Sequence, residues 1–313
     1  MKQAFLSIGR AVESVPDVEF RFDEPLARHT SFRVGGPVRL FARPRSESAL
    51  FSLLETIREL DLPFIILGEG SNVVAPDGPW EMSVLQLHLA CSTLLVRGQR
   101  AEGFGGGRRI ALYAGAGTSL QRVIGYCIEN GLEGFESLAG IPATVGGALV
   151  MNASTSAGAI SDCLVHIDLL DCDGGKRSLS REQLTPGYRS MGIPENSVVL
   201  GACFELRACS SDILKTRVEQ ILQKRRQTQP LRYPCAGSIF KNPDGQFAGA
   251  LIEKAGLKGY RIGDAQVSSK HANWIINRGK ALARDIVELI EKIENEIYGT
   301  FGVRLEREIR ILG

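Results

Sequence analysis

The segment Gly140-Ile141-Pro142-Ala143-Thr144-Val145-Gly146-Gly147-Ala148 limits what this chain can fold into more than any other. It is apolar and so asks to be buried. Its three glycines and its proline nevertheless fit neither a helix nor an open strand, because both residue types weaken regular interiors. Two readings remain open: uncharged backbone laid against a flat or phosphorylated ligand, or a buried connection with close backbone packing. Gly35-Gly36-Pro37 poses the same choice on a smaller scale. The whole chain leans this way. Thirty-five of its 313 residues are glycine, about 11% against a usual ~7%. Such an excess asks for tight turns or close approach of backbone to a ligand.

At ~150 residues per domain, the length suggests two or three domains. An apolar fraction of 44% supplies real cores and excludes wholesale disorder. No apolar run reaches the ~18 residues of a membrane helix. Residues 1–7 carry too short an apolar stretch for a secretory signal. A net charge of +2 argues against a nucleic-acid partner. Cys91, Cys127, Cys163, Cys172, Cys203, Cys209 and Cys235 are scattered without a C-x-x-C pair, and the four histidines show no H-x-x-x-H spacing. A reduced, cytoplasmic protein with no structural metal and no membrane partner is expected.

The first 30 residues read as an irregular or helical lead-in. Residues 38–42 fit a short strand stopped by Pro44, and Ser46 caps a helix to about Leu60 with Leu50, Leu53, Leu54 and Ile57 on one face. Residues 64–67, apolar without alternation, predict a buried strand. A strand over 110–114 precedes a helix over 119–130 that Gly131 closes. Strands are expected over 163–170 and 196–204, with a hairpin turn at Asp173-Gly174. Helices are expected over 212–227, 250–255 and, longest, 281–300. The chain ends on a period-two strand carrying Val303, Leu305, Ile309 and Ile311 on one face, interrupted by Arg307. Domain cuts are placed near residues 85 and 212.

Four stretches carry possible chemistry. Gly68-Glu69-Gly70-Ser71-Asn72 follows a strand; its N–H groups suit a phosphate-binding nest, or the stretch is a plain tight turn. It is not a Walker-type phosphate loop or a full G-x-G-x-x-G. The glycine-dense 140–148 segment is the second. The third, Ala236-Gly237-Ser238-Ile239-Phe240-Lys241-Asn242-Pro243, brings a hydroxyl, an ammonium and an amide together. If it is extended, Ser238, Phe240 and Asn242 face one way and Ile239 and Lys241 the other. No hydrolase elbow is present; Ser238 is a proton donor to a strong carbanion or a loop hydrogen bond. The fourth is Tyr188-Arg189 with Glu308. An arginine fork suits a carboxylate, and a surface ion pair is the bland reading of both charges. Cys235 reads as packing, and Phe240 and Trp274 as core.

Taken in order, these stretches resemble the UDP-N-acetylenolpyruvoylglucosamine reductase family. The matching pieces are His29-Thr30-Ser31-Phe32-Arg33-Val34-Gly35-Gly36-Pro37, Leu67 to Asn72, Gly134 to Ala148, Met151-Asn152-Ala153 and Gly187-Tyr188-Arg189-Ser190. Ala236 to Pro243, Ser269-Lys270-His271-Ala272-Asn273-Trp274 and Leu305-Glu306-Arg307-Glu308-Ile309-Arg310 complete the set. The resemblance implies an α+β fold: a two-domain FAD-binding module of the vanillyl-alcohol oxidase-like type, over 1–85 and 86–211, and an α+β substrate-binding domain over 212–313. Its last strand would return Glu308 to the active site. By match, Gly68, Glu69, Gly70, Ser71 and Asn72 would hold the FAD pyrophosphate. Gly140, Ile141, Pro142, Thr144, Gly146 and Gly147 would pass along the flavin. Arg189, Ser238 and Glu308 match catalytic positions, and Tyr188, Lys241, Asn242 and His271 match substrate contacts. The compact 256–277 region implies the shorter subfamily, without a tyrosine-bearing insertion. Two departures stand out: Ala143 for glycine, and Ser154-Thr155-Ser156-Ala157-Gly158 for Gly-Ala-Tyr-Gly. Neither is expected to touch the catalytic positions.

The implied reaction is reduction of UDP-N-acetylglucosamine enolpyruvate to UDP-N-acetylmuramate, in peptidoglycan precursor synthesis, with FAD as cofactor and NADPH as reductant. Developing enolate charge would need Arg189 as a fixed cation and Glu308 as a neutral carboxyl raised by burial. Ser238 would deliver the proton. A monomer is expected. A flavin oxidase on the same fold and a non-catalytic binder of flavin or nucleotide sugar are the alternatives; anaerobic bleaching by NADPH followed by reoxidation by the enolpyruvyl substrate separates all three.

Overall fold

The computed structural model describes residue 12 and residues 14–101, 108–171 and 173–313. The chain forms two compact units, each assembled from stretches far apart in sequence. One comprises Met1–Arg21, Phe41–Gly68 and Ser83–Lys224; the other comprises Phe22–Leu40, Glu69–Met82 and Arg225–Gly313. Among the described residues, no helix is long and apolar enough to cross a membrane.

The first unit is built on an antiparallel sheet in the order Lys176–Ser180, Leu164–Leu170, Val198–Ala208, Arg108–Gly115, Leu94–Ala101. Its middle strand, VVLGACFELRA, lacks polar alternation because both faces are covered; its first seven residues are all buried. Glycine is required at 201: the Tyr113 hydroxyl lies 2.4 Å from where a Cβ would stand. The turn at Asp173-Gly174 forms as expected, with Leu170 opposite Lys176. Helix α1 (Glu47–Glu59) starts where Ser46 accepts the Ala49 N–H at 3.2 Å, and buries Leu50, Leu53, Leu54 and Ile57 completely. Helix α2 (Leu120–Glu129) is capped by Ser119, and Gly131 follows at φ +62°.

Several expectations change. The lead-in holds a strand, Val18–Pro25; its alternation of Phe20 and Phe22 with charged residues was the signal for it. Residues 1–11 lie outside the described residues. The strand expected to be buried at 64–67 is Phe64–Ile66, half-exposed, with Ile66 open to solvent, because it lies last in its sheet and pairs only with Trp80–Leu85. The glycine-dense segment does contain a helix, α3 (Val145–Val150), started by the Thr144 side chain accepting the Gly147 N–H. Capping and burial of Val145, Ala148 and Leu149 outweigh the poor propensity of its two glycines.

Helix α4 (Ser211–Thr228) lies mostly in the first unit's last segment; in the second unit, α5 (Ala248–Lys254) and α6 (Ala283–Phe301) enclose the core. Helix α6 packs on the sheet Arg261–Ile262, Ala265–Val267, Ile275–Asn277. Ile286, Leu289, Ile290, Ile293 and Ile297 fall on one face and are at most 1% exposed, each worth about 1.5–3 kcal/mol of burial. Its first turn is satisfied from far away: the Asp77 carboxylate accepts the N–H groups of Ala283 (2.7 Å) and Arg284 (3.0 Å). In the C-terminal segment Ile309 is buried and Arg310 exposed, as expected, but Ile311, expected on the apolar face, is exposed too; the segment pairs as a strand only at Arg310–Ile311, parallel to Val73–Val74.

Candidate active site

In the second unit, five of the singled-out stretches meet. The Ser238 to Asn242 segment is gripped on two sides. On one, Asn273 spends both ends of its amide on Phe240: Oδ1 accepts its N–H (3.0 Å), and Nδ2 donates to its carbonyl (2.8 Å). Asn273 is 4% exposed, and its own carbonyl accepts the Ile239 N–H. On the other side, Glu308 donates its backbone N–H to Ile239 (2.8 Å), and Lys241 donates its own to Glu306 (2.8 Å). The Asn72 amide donates to the Glu308 carbonyl at 3.1 Å, and Asn277 donates to Phe32 at 2.8 Å, tying in the 29–37 stretch.

This double grip explains a departure from strict alternation. Ile239 and Phe240 are consecutive yet both are 1% exposed, because neighbours cover both faces. Phe240 and Trp274 are core, as expected. Ser238 is half-buried, and among the described residues its hydroxyl has no hydrogen-bond partner. Lys241 pairs with the Glu306 carboxylate. Asn242, exposed, accepts the N–H of Ala248 at the start of α5 (3.1 Å). The His271 ring lies 6.2 Å from that of Trp274. Burial holds its pKa below the usual histidine value, with Lys258 adding to the effect, so the imidazole is neutral near pH 7. Burial pushes the Cys235 thiol up to about 11, consistent with packing rather than reactivity.

In the first unit, Arg189 sits at the tip of a tight turn closed by Gly187 and Ser190, whose N–H and carbonyl groups bond reciprocally. It adopts φ +60°, a left-handed conformation rare for residues other than glycine. Its Nη1 donates to Ser154, at 2.8 Å to Oγ and 3.1 Å to the carbonyl. Its guanidinium lies 5.1 Å from the centre of the Tyr188 ring, itself half-exposed. The 154–158 departure, expected to leave position 189 untouched, therefore touches it directly. Sequence reading could not have found this, since 35 residues separate the two positions and no pattern links them. Asn273 was equally hidden: in the sequence its clamp on Phe240 is only an asparagine before a tryptophan.

The glycine loops have the features that an anionic dinucleotide needs. Among the described residues, no protein oxygen accepts from the backbone N–H groups of Gly68, Gly70 or Ser71, nor from those of Gly140 or Thr144. Such unspent donors fit a diphosphate or the polar edge of a flat ring. Close packing fixes them. A Cβ on Gly68 would come within 2.8 Å of Thr144 Oγ1, and one on Gly70, at φ +59°, within 2.1 Å of the His29 carbonyl. Gln86 donates to the Gly68 carbonyl at 3.1 Å and is itself held by Arg43 at 3.0 Å.

Comparison with known proteins matches this chain to two family models. Residues 38–180 match the family model of an FAD binding domain, and residues 229–312 match that of the UDP-N-acetylenolpyruvoylglucosamine reductase C-terminal domain. The reductase of that name from Syntrophobacter fumaroxidans is 52% identical over 297 residues, covering 95% of this chain and 84% of the relative. That from Moorella thermoacetica is 42% identical, covering 93% and 92%. The crystal structure of the corresponding reductase from Thermus caldophilus superposes with a TM-score of 0.76 at 32% identity, over 95% of this chain and 99% of that one.

Proposed function

The chain belongs to the UDP-N-acetylenolpyruvoylglucosamine reductase family, FAD-dependent oxidoreductases, and from that premise we propose that it reduces UDP-N-acetylglucosamine enolpyruvate to UDP-N-acetylmuramate with NADPH, in the cytoplasm, for peptidoglycan precursor synthesis. The observation that carries the reading lies in the second unit. The segment bearing an unpartnered hydroxyl, Ser238, runs beside the segment bearing a carboxyl, Glu308, joined through the Ile239 carbonyl. A proton donor and a carboxyl on paired backbone suit a reaction that ends in protonating an enolate.

Bound FAD would supply hydride-transfer chemistry between NADPH and the enolpyruvyl group. The unspent N–H groups of Gly68, Gly70 and Ser71, with Glu69 and Asn72 beside them, bind its diphosphate. Gly140, Ile141, Pro142, Thr144, Gly146 and Gly147 hold the ring, with glycine letting backbone approach closely. Arg189 binds the enolpyruvyl carboxylate through its fork. Glu308 acts in its neutral form, donating a hydrogen bond to the charge that builds on the carboxylate. Ser238 donates the proton to the adjacent carbon; the enolate is a strong base, so a weak acid suffices. Tyr188, Lys241, Asn242 and His271 contact the nucleotide sugar, with His271 as a neutral hydrogen-bonding group. In this division of labour residues 1–85 and 86–211 serve FAD, with Tyr188 and Arg189 also reaching the substrate, and 212–313 serve the substrate.

The decisive experiment is anaerobic. NADPH bleaches the flavin, and UDP-N-acetylglucosamine enolpyruvate then restores its colour. Ser238→Ala is expected to bleach at the parental rate and to fail in the second step. Normal rates in both steps would remove Ser238 from the chemistry.

A further inference from the structure

Ser154 stands out among the groups around Arg189, because it meets the arginine through both its hydroxyl and its carbonyl, and because it is firmly held. Ser154 pairs with Ala159 and Thr155 with Gly158 across a small antiparallel hairpin. Thr155 donates its hydroxyl to the Ser137 carbonyl at 3.1 Å, and the Asp162 carboxylate accepts the Ala159 N–H at 2.7 Å. The turn of this hairpin cannot slide easily: Gly158 sits at φ +149°, with Asp162 Oδ2 3.1 Å and Ser137 Oγ 3.3 Å from where a Cβ would stand. Two residues earlier, Asn152 is 7% exposed and donates its amide to the Gly187 carbonyl at 3.0 Å. The 152–154 stretch thus holds the arginine turn twice, once by its backbone and once by its side chain.

We propose that Ser154 is a positioning residue for Arg189, its hydroxyl and carbonyl together fixing the plane in which the guanidinium meets the substrate carboxylate. The inference rests on the carboxylate-binding role given to Arg189 above. The physical reason is rotamer freedom. A long arginine side chain samples many conformers unless it is held, and a bidentate contact with a carboxylate tolerates little misorientation. The backbone carbonyl survives any substitution at 154. Losing the hydroxyl alone therefore loosens the clamp without dismantling it, and reoxidation by substrate should slow about tenfold.

The test is a double-mutant cycle on the complete flavoenzyme. Ser154→Ala, Arg189→Ala and the double variant are compared with the parent in NADPH bleaching, in reoxidation by UDP-N-acetylglucosamine enolpyruvate and in thermal unfolding. The expected result for Ser154→Ala is reoxidation slowed about tenfold, with bleaching and unfolding at parental values. Ser154→Thr, which keeps the hydroxyl, should restore the rate. In the Arg189→Ala background the serine substitution should add almost nothing. A parental reoxidation rate in Ser154→Ala, or an equal loss with and without Arg189, overturns the positioning role. A parental rate in Arg189→Ala instead overturns the reading of Arg189 itself.

Discussion

The Ser238 segment and the Arg189 turn are both proposed to serve one reaction, yet they are held by different means. Ser238 lies on a stretch gripped through backbone groups, with the Asn273 amide standing in for a neighbouring strand. Arg189 lies on an exposed turn whose hold on the rest of its unit includes two side-chain contacts, Asn152 to the Gly187 carbonyl and Ser154 to the guanidinium. Losing the Asn273 clamp would strand buried backbone groups of Phe240, whereas losing the Ser154 clamp would free only the Arg189 side chain. The two regions should therefore fail differently: the first by unfolding, the second by losing rate.

The largest effect tests the first half of that contrast. Asn273→Ala leaves two buried backbone groups of Phe240 without partners and should cost about 3–5 kcal/mol of stability, read by urea unfolding. A loss below 1 kcal/mol would mean that the amide is dispensable. Next comes Arg189→Ala, expected to slow reoxidation by substrate on the order of 10²–10³-fold, by analogy with loss of one oxyanion donor. Its urea midpoint should hardly move; a large shift would make the turn structural. Tyr188→Ala removes a partly exposed ring beneath the guanidinium, and a few-fold rise in KM is expected from a contact worth about 0.5–1 kcal/mol.

The smallest effect concerns pH. The folded His271 imidazole has a lowered pKa, so below ~6.5 the unfolded chain takes up a proton that the folded chain refuses. Stability should therefore fall as pH drops from there until the folded value is passed. His271→Asn should flatten that part of the stability curve; an unchanged slope would place the acid sensitivity elsewhere.

The sequence disclosed what local chemistry determines. Ser46 capped the helix it was expected to cap, Gly131 and Gly256 follow helices at positive φ, and the apolar stripe expected along α6 is buried from Ile286 to Ile297, with Leu282 at its start exposed. It misled where tertiary context overrides composition. The Thr144 cap makes a helix from glycines, and a position at the end of its sheet leaves Ile66 exposed. It was silent about Asn273 and Ser154, since their roles lie in partners 33 and 35 positions away.

The parallel pairing of Arg310–Ile311 with Val73–Val74, and the closing of the α6 first turn by Asp77, both join the end of the chain to its first quarter. On a ribosome, which releases the chain from its N-terminus onward, residues 69–82 must wait through the synthesis of more than 200 others for these partners. The second unit can thus close only once residues 283–311 have been made. Until then Val74, buried in the finished protein, is an exposed apolar residue on a waiting strand, and nascent chains stalled before residue 300 should be far more open to proteolysis over 69–82 than completed ones.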